Sequence, residues 1–310
     1  MTPTSTHALF VLAYGTPERP EDVEAYFTHI RGGRTPSAES VQHLREKYEK
    51  LGGRTPLKEI TEAVAEGLRA RLRAEGRDDA VYVGMKHWHP YIKDVMHRMY
   101  DDGIRTATAI VLAPHYSKMS IGGYRKYIDE ANAQLPTPIQ VDFIERWGEH
   151  PSFLSVMETL VRDGLAKFPD GDRAKVTVVF SAHSLPQKIR EWGDPYEAEL
   201  RASAAAVADR VGITDWRWAW QSAGGTTEPW LGPDILDYLE ELAAEGVSHI
   251  LQVPIGFTAE HLEVWWDIDY EAREKAGELG MVLERTELPN ARPDFVEAVR
   301  AVVGEHEGRG

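Results

Sequence analysis

Eight short runs rich in β-branched and aromatic residues punctuate this chain, each followed by a longer stretch of helical composition. In order they are ALFVLAYG, VYVGMKH, TATAIVLAPHY and IQVDFIERW, then KVTVVFSAHS, WRWAWQSAG, VSHILQVPIGF and MVLERTEL. Apolar runs of this kind alternating with helices fit strands buried on both faces of a parallel sheet. The second set of four also resembles the first. Each opening strand ends in a polar turn (YGTP, AHSLP), each third in proline plus an aromatic (APHY, PIGF), and each fourth in Glu-Arg. The expected fold is therefore α/β: two similar Rossmann-like, doubly wound domains with parallel sheets.

Proline and glycine cluster in FPDGDRAK, which sets the expected boundary: an N-terminal domain over 1–170 and a C-terminal one over 171–310. The halves differ chiefly between their first and second strands, so the N-terminal domain is expected to carry an insertion at about 16–60. FVEAVRAVV reads as a closing helix packing back on the first domain. Open parallel sheets bind ligands at the carboxyl ends of their strands. YGTP, KHWHP, APHYS, SAHSLP and PIGFTAEHLE are accordingly expected to line one interdomain cleft.

The net charge of −15 argues against nucleic acid and anionic membrane surfaces as main partners. Against that background, His29 to Lys58 carries seven basic residues and three acidic ones, a net of +4. Two readings stay open for this segment: a site for an anionic ligand, or a solvated helix laced with Lys/Glu pairs. No signal-like leader and no apolar stretch long enough to span a membrane is evident, so a cytoplasmic protein without stable membrane insertion is expected. The chain has no cysteine, which excludes disulfides, thiolate zinc sites and cysteine-ligated iron–sulfur clusters. Any metal must be held by histidine, carboxylate or phenolate.

The motifs for dinucleotides (GxGxxG), nucleoside triphosphates (GxxxxGK[ST]), α/β-hydrolase nucleophiles (GxSxG) and zinc peptidases (HExxH) are absent. Ser181 and Ser184 flank His183 too closely in sequence to suggest a triad. His183, at the end of an apolar strand, is either a hydrogen-bonded structural residue or a ligand-facing one. The segment HLEVWWDIDYE favours the second, because a metal site without cysteine needs carboxylate and imidazole from different elements. Read as a helix, it places Glu263, Asp267 and Glu271 at i, i+4 and i+8, in one row. That row is either a path for cations or the solvated face of a helix whose Val264, Trp265 and Ile268 meet the core. His87, His89, His115 and His261 are weaker candidates. With Tyr14, Trp88, Tyr116, Tyr124, Trp230, Trp265 and Trp266 at the expected cleft, the ligand should be large, flat, apolar and anionic, as a porphyrin with propionates is.

These segments, together with YFTHIRGGR, LGGRTPL, GDPY, PWLGPD and LPNARPDF, resemble the ferrochelatase family over nearly the whole chain, and more narrowly its soluble bacterial coproporphyrin type. The resemblance implies a lyase of haem biosynthesis that inserts Fe²⁺ into coproporphyrin III. Alternatives are a protoporphyrin IX enzyme, another tetrapyrrole metal chelatase, or a haem-binding carrier. It further implies His183 and Glu263 as the metal-insertion pair on one side of the macrocycle, with Asp267 and Glu271 extending from them as a metal path. Tyr14 is implied across the macrocycle as axial ligand of the product iron, and Arg31, Lys47, Tyr48, Thr55 and Tyr124 as porphyrin contacts. Lys47 stands where the family commonly has arginine, and Thr55 where it commonly has serine. A lysine cannot form the bidentate carboxylate pair an arginine makes. Iron is a substrate in this reading, no cofactor is permanently bound, and the small relatives suggest a monomer. His183, with an ordinary imidazole pKa near 6.5, would serve as proton acceptor or as metal ligand.

Overall fold

Two four-stranded parallel sheets frame the computed structural model, which describes residues 5–309. The chain divides into two compact units. The first runs to Trp147 and is completed by Ala259–His261 and by the chain from Asn290 onward; the second comprises Gly148–Thr258 and Leu262–Pro289.

The first unit contains β1 (His7–Ala13), α1 (Val23–Ile30), α2 (Ala38–Lys50), α3 (Leu57–Ala74), β2 (Ala80–Met85), α4 (Ile92–Asp101), β3 (Thr106–Val111), α5 (Ile121–Asn132) and β4 (Gln140–Ile144). Its sheet has the order β2-β1-β3-β4. The central strand β1 is buried from Ala8 to Ala13, as a strand covered on both faces must be. In α3 the buried residues Leu57, Thr61, Val64, Ala65, Leu68 and Leu72 form one helical stripe. Helices α1 and α2 lie in the expected insertion between β1 and α3; the Ser37 hydroxyl caps α2 by accepting from the Ser40 amide at 3.2 Å.

The second unit contains α6 (Pro151–Ala166), β5 (Val176–His183), α7 (Tyr196–Val211), β6 (Trp216–Gln221), α8 (Ile235–Ala244) and β7 (His249–Val253). A π-helix (Val264–Ala272), its continuation α9 (Arg273–Glu278) and β8 (Val282–Arg285) complete it. The order β6-β5-β7-β8 repeats that of the first sheet. In each sheet the order reverses between first and third strands, so the carboxyl end of the first strand, β1 or β5, opens on the switch-point crevice. Tyr14 follows β1 and His183 closes β5.

The second unit begins at Gly148, ahead of the expected boundary at 170, and so includes α6. A Cβ at Gly164 would lie 2.9 Å from Leu251 Cδ1, so the missing side chain lets α6 approach β7 closely. The last helix, α10 (Pro293–His306), packs on α3 in the first unit. There Gly67 gives way to Val296, whose Cγ1 would stand 2.9 Å from a Cβ on Gly67. Among the described residues no helix is long and apolar enough to cross a membrane.

Candidate active site

In the second unit, β5 delivers His183 from a strand whose preceding five residues are buried. Its Nδ1–H donates to the Ser184 carbonyl. That bond fixes the tautomer and turns Nε2 toward Glu263, whose Oε1 lies 3.5 Å away. The side chains are recessed but accessible, 28% exposed for His183 and 40% for Glu263. Tyr196 holds the strand end by donating to the His183 carbonyl at 3.0 Å. Burial disfavours the imidazolium, but the charge and hydrogen bond of Glu263, the Ser184 carbonyl and the charge of Asp267 together outweigh it and push His183 up to about 9. The free histidine is therefore cationic at neutral pH, not the neutral group that an ordinary imidazole pKa suggests. His183 and Glu263 thus form an imidazolium–carboxylate ion pair.

The acidic segment is a helix, but a π-helix: the Arg273 amide bonds back to the Ile268 carbonyl, five residues earlier. A four-residue step falls just short of a π turn, so Glu263, Asp267 and Glu271 stay on one side. All three are half-buried. Asp267 accepts a hydrogen bond from the Ser222 hydroxyl, and Glu271 Oε1 accepts from the Trp266 indole at 2.6 Å. Asp269 leaves the row, clamped by Arg285 Nε and Nη2 at 2.7 and 2.8 Å. Val264 and Ile268 are buried as expected. Trp265 packs against the same core only in part, whereas the neighbouring Trp266 is the buried tryptophan.

In the first unit, Tyr14 stands out as a 41% exposed side chain among buried neighbours. Its carbonyl accepts from the His87 amide at 2.8 Å, and its ring lies 4.6 Å from the His87 ring. His87 Nδ1 meets His29 Nδ1 at 3.1 Å. Burial, with the Lys86 and His29 charges, drops His87 to about 3, so it is neutral and packs rather than titrates. Burial alone does the same to His115. His89 lies against the Tyr91 ring at 4.4 Å, and His261 Nδ1 donates to the Ala259 carbonyl at 2.8 Å.

Lys86, which sequence reasoning passed over, lies buried beside Tyr14 and Tyr124. It is 7% exposed, donates to the Ser120 carbonyl at 3.3 Å, and holds its ammonium 4.9 Å from the Tyr124 ring centroid and 6.0 Å from that of Tyr14. Burial lowers it to about 8. Gly123 makes room for it, since a Cβ there would lie 2.5 Å from its Nζ. The one available signal was the polar pair KH directly after the apolar strand VYVGM.

The expected porphyrin contacts divide. Arg31 is exposed, with its guanidinium 5.8 Å from the Phe27 ring, and Lys47 is half-buried. Tyr48 and Thr55 are interior residues, 2% exposed each, whose hydroxyls both meet Thr16 Oγ1, at 3.1 and 2.8 Å. Tyr124 is 4% exposed, its phenol pushed well above the usual range by burial. Ser181 and Ser184 bond to Gln221 and to the Leu231 carbonyl, so neither serves as a nucleophile to His183.

Comparison with known proteins gives a concordant picture. A family model described as Ferrochelatase matches residues 6–307. A ferrochelatase of Herpetosiphon aurantiacus is 49% identical over 96% of this chain and 97% of its own. A coproporphyrin III ferrochelatase of Bacillus subtilis is 41% identical over 97% and 98%. Among solved structures, a cobalt-bound sirohydrochlorin chelatase from Bacillus subtilis subspecies spizizenii superposes with a TM-score of 0.57 at 12% identity, covering 98% of this chain and 97% of that one. At that identity the likeness speaks for the fold alone.

Proposed function

Because the chain belongs to the ferrochelatase family, an enzyme family that inserts a metal into a porphyrin, we propose that its substrates are Fe²⁺ and coproporphyrin III and that its product is coprohaem. Relatives at 41–43% identity named coproporphyrin III ferrochelatase support that choice of porphyrin. So does the net +4 of the segment between His29 and Lys58, which suits a ligand with four carboxylates.

The observation that carries the chemistry is the His183–Glu263 pair at 3.5 Å. Metallation releases two pyrrole protons for each Fe²⁺ that enters. A cationic His183 cannot accept either proton. An Fe²⁺ ion arriving at Glu263 neutralises the charge that favours the imidazolium, so the His183 proton leaves and Nε2 becomes free. The displaced His183 proton passes to water; the neutral imidazole then takes one pyrrole proton while the other passes to water, or it guides the metal while water takes both, and Glu263 balances the charge in either case. Two protein donors hold the ion weakly, which suits a cation that must pass to the four nitrogens of the macrocycle. Asp267 and Glu271 raise the local concentration of divalent cations along the approach. Tyr14 ligates the product iron, and Arg31 and Lys47 contact propionates. The enzyme works as a cytoplasmic monomer, tested by fractionation and light scattering.

The deciding experiment mixes the protein anaerobically with Fe²⁺ and either coproporphyrin III or protoporphyrin IX and follows the free-base absorption bands. Coproporphyrin bands should vanish far faster with protein than without. No acceleration with either porphyrin removes the enzymatic reading; preference for protoporphyrin removes the choice of substrate.

A further inference from the structure

We propose that Thr16 is a positioning residue that ties the exposed Tyr14 to the basic helical insertion, so that anion recognition and axial ligation of the product iron are set by one hydroxyl network. The proposal builds on the assignment of coproporphyrin and of Tyr14 made above. Only Gly15 separates Tyr14 from Thr16, in a left-handed conformation (φ +95°) packed so closely against Trp88 that a Cβ would stand 2.8 Å from its amide nitrogen. Its carbonyl is also held, by the Tyr26 hydroxyl at 3.1 Å. Upstream, the chain is pinned through the Tyr14 carbonyl to the His87 amide at 2.8 Å and through the Ala13 carbonyl to the Lys86 amide at 2.9 Å. Downstream, the fixed point is Thr16 itself, 4% exposed.

The two partners of Thr16 come from the segment with the excess of basic residues. Tyr48 lies in the last turn of α2, next to Lys47, and Thr55 lies next to Arg54, just before α3. Their bonds to Thr16 Oγ1 span 32 and 39 residues of sequence, so they are tertiary ties and not turn contacts. With all three hydroxyls at 4% exposure or less, water cannot readily replace a lost partner, and removing the Thr16 hydroxyl leaves two buried polar groups short. A displacement of α2 or of the Arg54–Thr55 turn therefore reaches Thr16, and through the short tether of Gly15, whose carbonyl Tyr26 holds, it reaches Tyr14. The geometry makes Thr16 the joint between the groups that would meet propionates and the phenol that would meet iron.

The test compares the wild-type protein with Thr16→Val, which keeps shape and loses the hydroxyl, Thr16→Ser, which keeps the hydroxyl, and Tyr14→Phe as a reference without the phenol. Coproporphyrin III affinity is read from fluorescence quenching, and tyrosinate ligation from resonance Raman spectra of the ferric coproporphyrin complex. Thr16→Val should weaken porphyrin binding roughly tenfold, the equivalent of about one buried hydrogen bond, and should weaken the tyrosinate bands toward the Tyr14→Phe spectrum. Thr16→Ser should restore both. If Thr16→Val does not fold, Tyr48→Phe, which removes one partner hydroxyl and keeps the ring, should move both readouts in the same direction. Binding within twofold of wild type, or an undiminished tyrosinate signature, overturns the coupling. Because wild-type metallation is measured alongside, a functional enzyme with an indifferent Thr16→Val defeats this inference alone, whereas an inactive wild type defeats the ferrochelatase assignment beneath it.

Discussion

Nε2 of His183 faces Oε1 of Glu263 at 3.5 Å while its Nδ1 donates to the backbone carbonyl of Ser184. The second contact gives the first its meaning. With Nδ1 committed as a donor, the only nitrogen that can gain or lose a proton, or bind a metal, is the one beside the carboxylate. A neutral imidazole would turn a lone pair on an anion, so the pair favours a proton at that point, the positive charge that Fe²⁺ replaces in the proposed reaction.

Glu263→Gln removes the charge and keeps the shape. Metallation should fall by roughly 10²-fold or more in kcat/KM, within the range for loss of a positioned acid–base partner. Coproporphyrin affinity should stay within a few-fold, since the carboxylate is not among the groups proposed to meet propionates. Anaerobic metallation and equilibrium binding on one preparation separate the two effects; activity within tenfold of wild type would show that Glu263 is not the partner His183 requires.

Glu271 lies at the far end of the row and accepts from the Trp266 indole at 2.6 Å. Glu271→Gln keeps an acceptor for that N–H while removing the charge. The apparent KM for Fe²⁺ should rise about threefold to tenfold with little change in kcat, because the row concentrates cations and takes no part in the bond-making step. The effect should shrink as ionic strength rises. An iron dependence equal to that of wild type would return Glu271 to the role of a half-buried structural acid.

Asp269 is the internal contrast, because it shares the π-helix but answers to Arg285, whose side chain is 10% exposed. Asp269→Asn should lower stability by about 2 kcal/mol, below the usual cost of breaking a fully buried pair because the aspartate is itself 28% exposed. The iron KM should not move. Urea denaturation and steady-state kinetics on the same variant check both halves, and a raised iron KM at unchanged stability would extend the metal row to Asp269.

The fold was legible because its signals were redundant. Strand runs such as ALFVLA and VTVVFSAH, each followed by a helical stretch, fit buried parallel strands, and their shared endings carried the repetition that the two sheet orders display. The acidic row was legible as spacing but not as a π-helix, because four-residue intervals keep side chains together in α- and π-helices alike. Three further features had no local signature. Ser222 holds Asp267 from a backbone at φ 62°, a conformation a serine does not announce. Lys86 lies where a Cβ on Gly123 would stand 2.5 Å from its Nζ, a tertiary neighbour 37 residues away. Tyr48 and Thr55 are interior residues whose shared partner, Thr16, lies 32 and 39 residues away in sequence, beyond the reach of any local pattern.

The last prediction concerns acid stability and the end of α10. Glu307 receives hydrogen bonds from Thr108 at 2.9 Å and from His7 at 3.3 Å, and an ion pair from Arg77 at 2.8 Å, with its side chain only 7% exposed. Burial favours the neutral carboxyl, but the bonds from His7 and Thr108 and the charges of Arg77 and Arg309 win, and Glu307 drops to about 2. A carboxylate whose folded pKa lies below its unfolded one stabilises the fold above the unfolded value, here 4.5, and loses that contribution as pH falls toward 2. The depression corresponds to about 3 kcal/mol at neutral pH. Glu307→Gln should therefore be destabilised by roughly that amount at pH 7, and the gap to wild type should close between about pH 4.5 and 2. His87 and His115, both near 3 and neutral when folded, begin to destabilise the fold as pH drops below the ordinary histidine value of 6.5. Both proteins carry them, so they cancel in the comparison. Urea midpoints measured from pH 7 down to pH 3 test this, and a gap that is constant with pH would mean that Glu307 acts through packing and not through its charge.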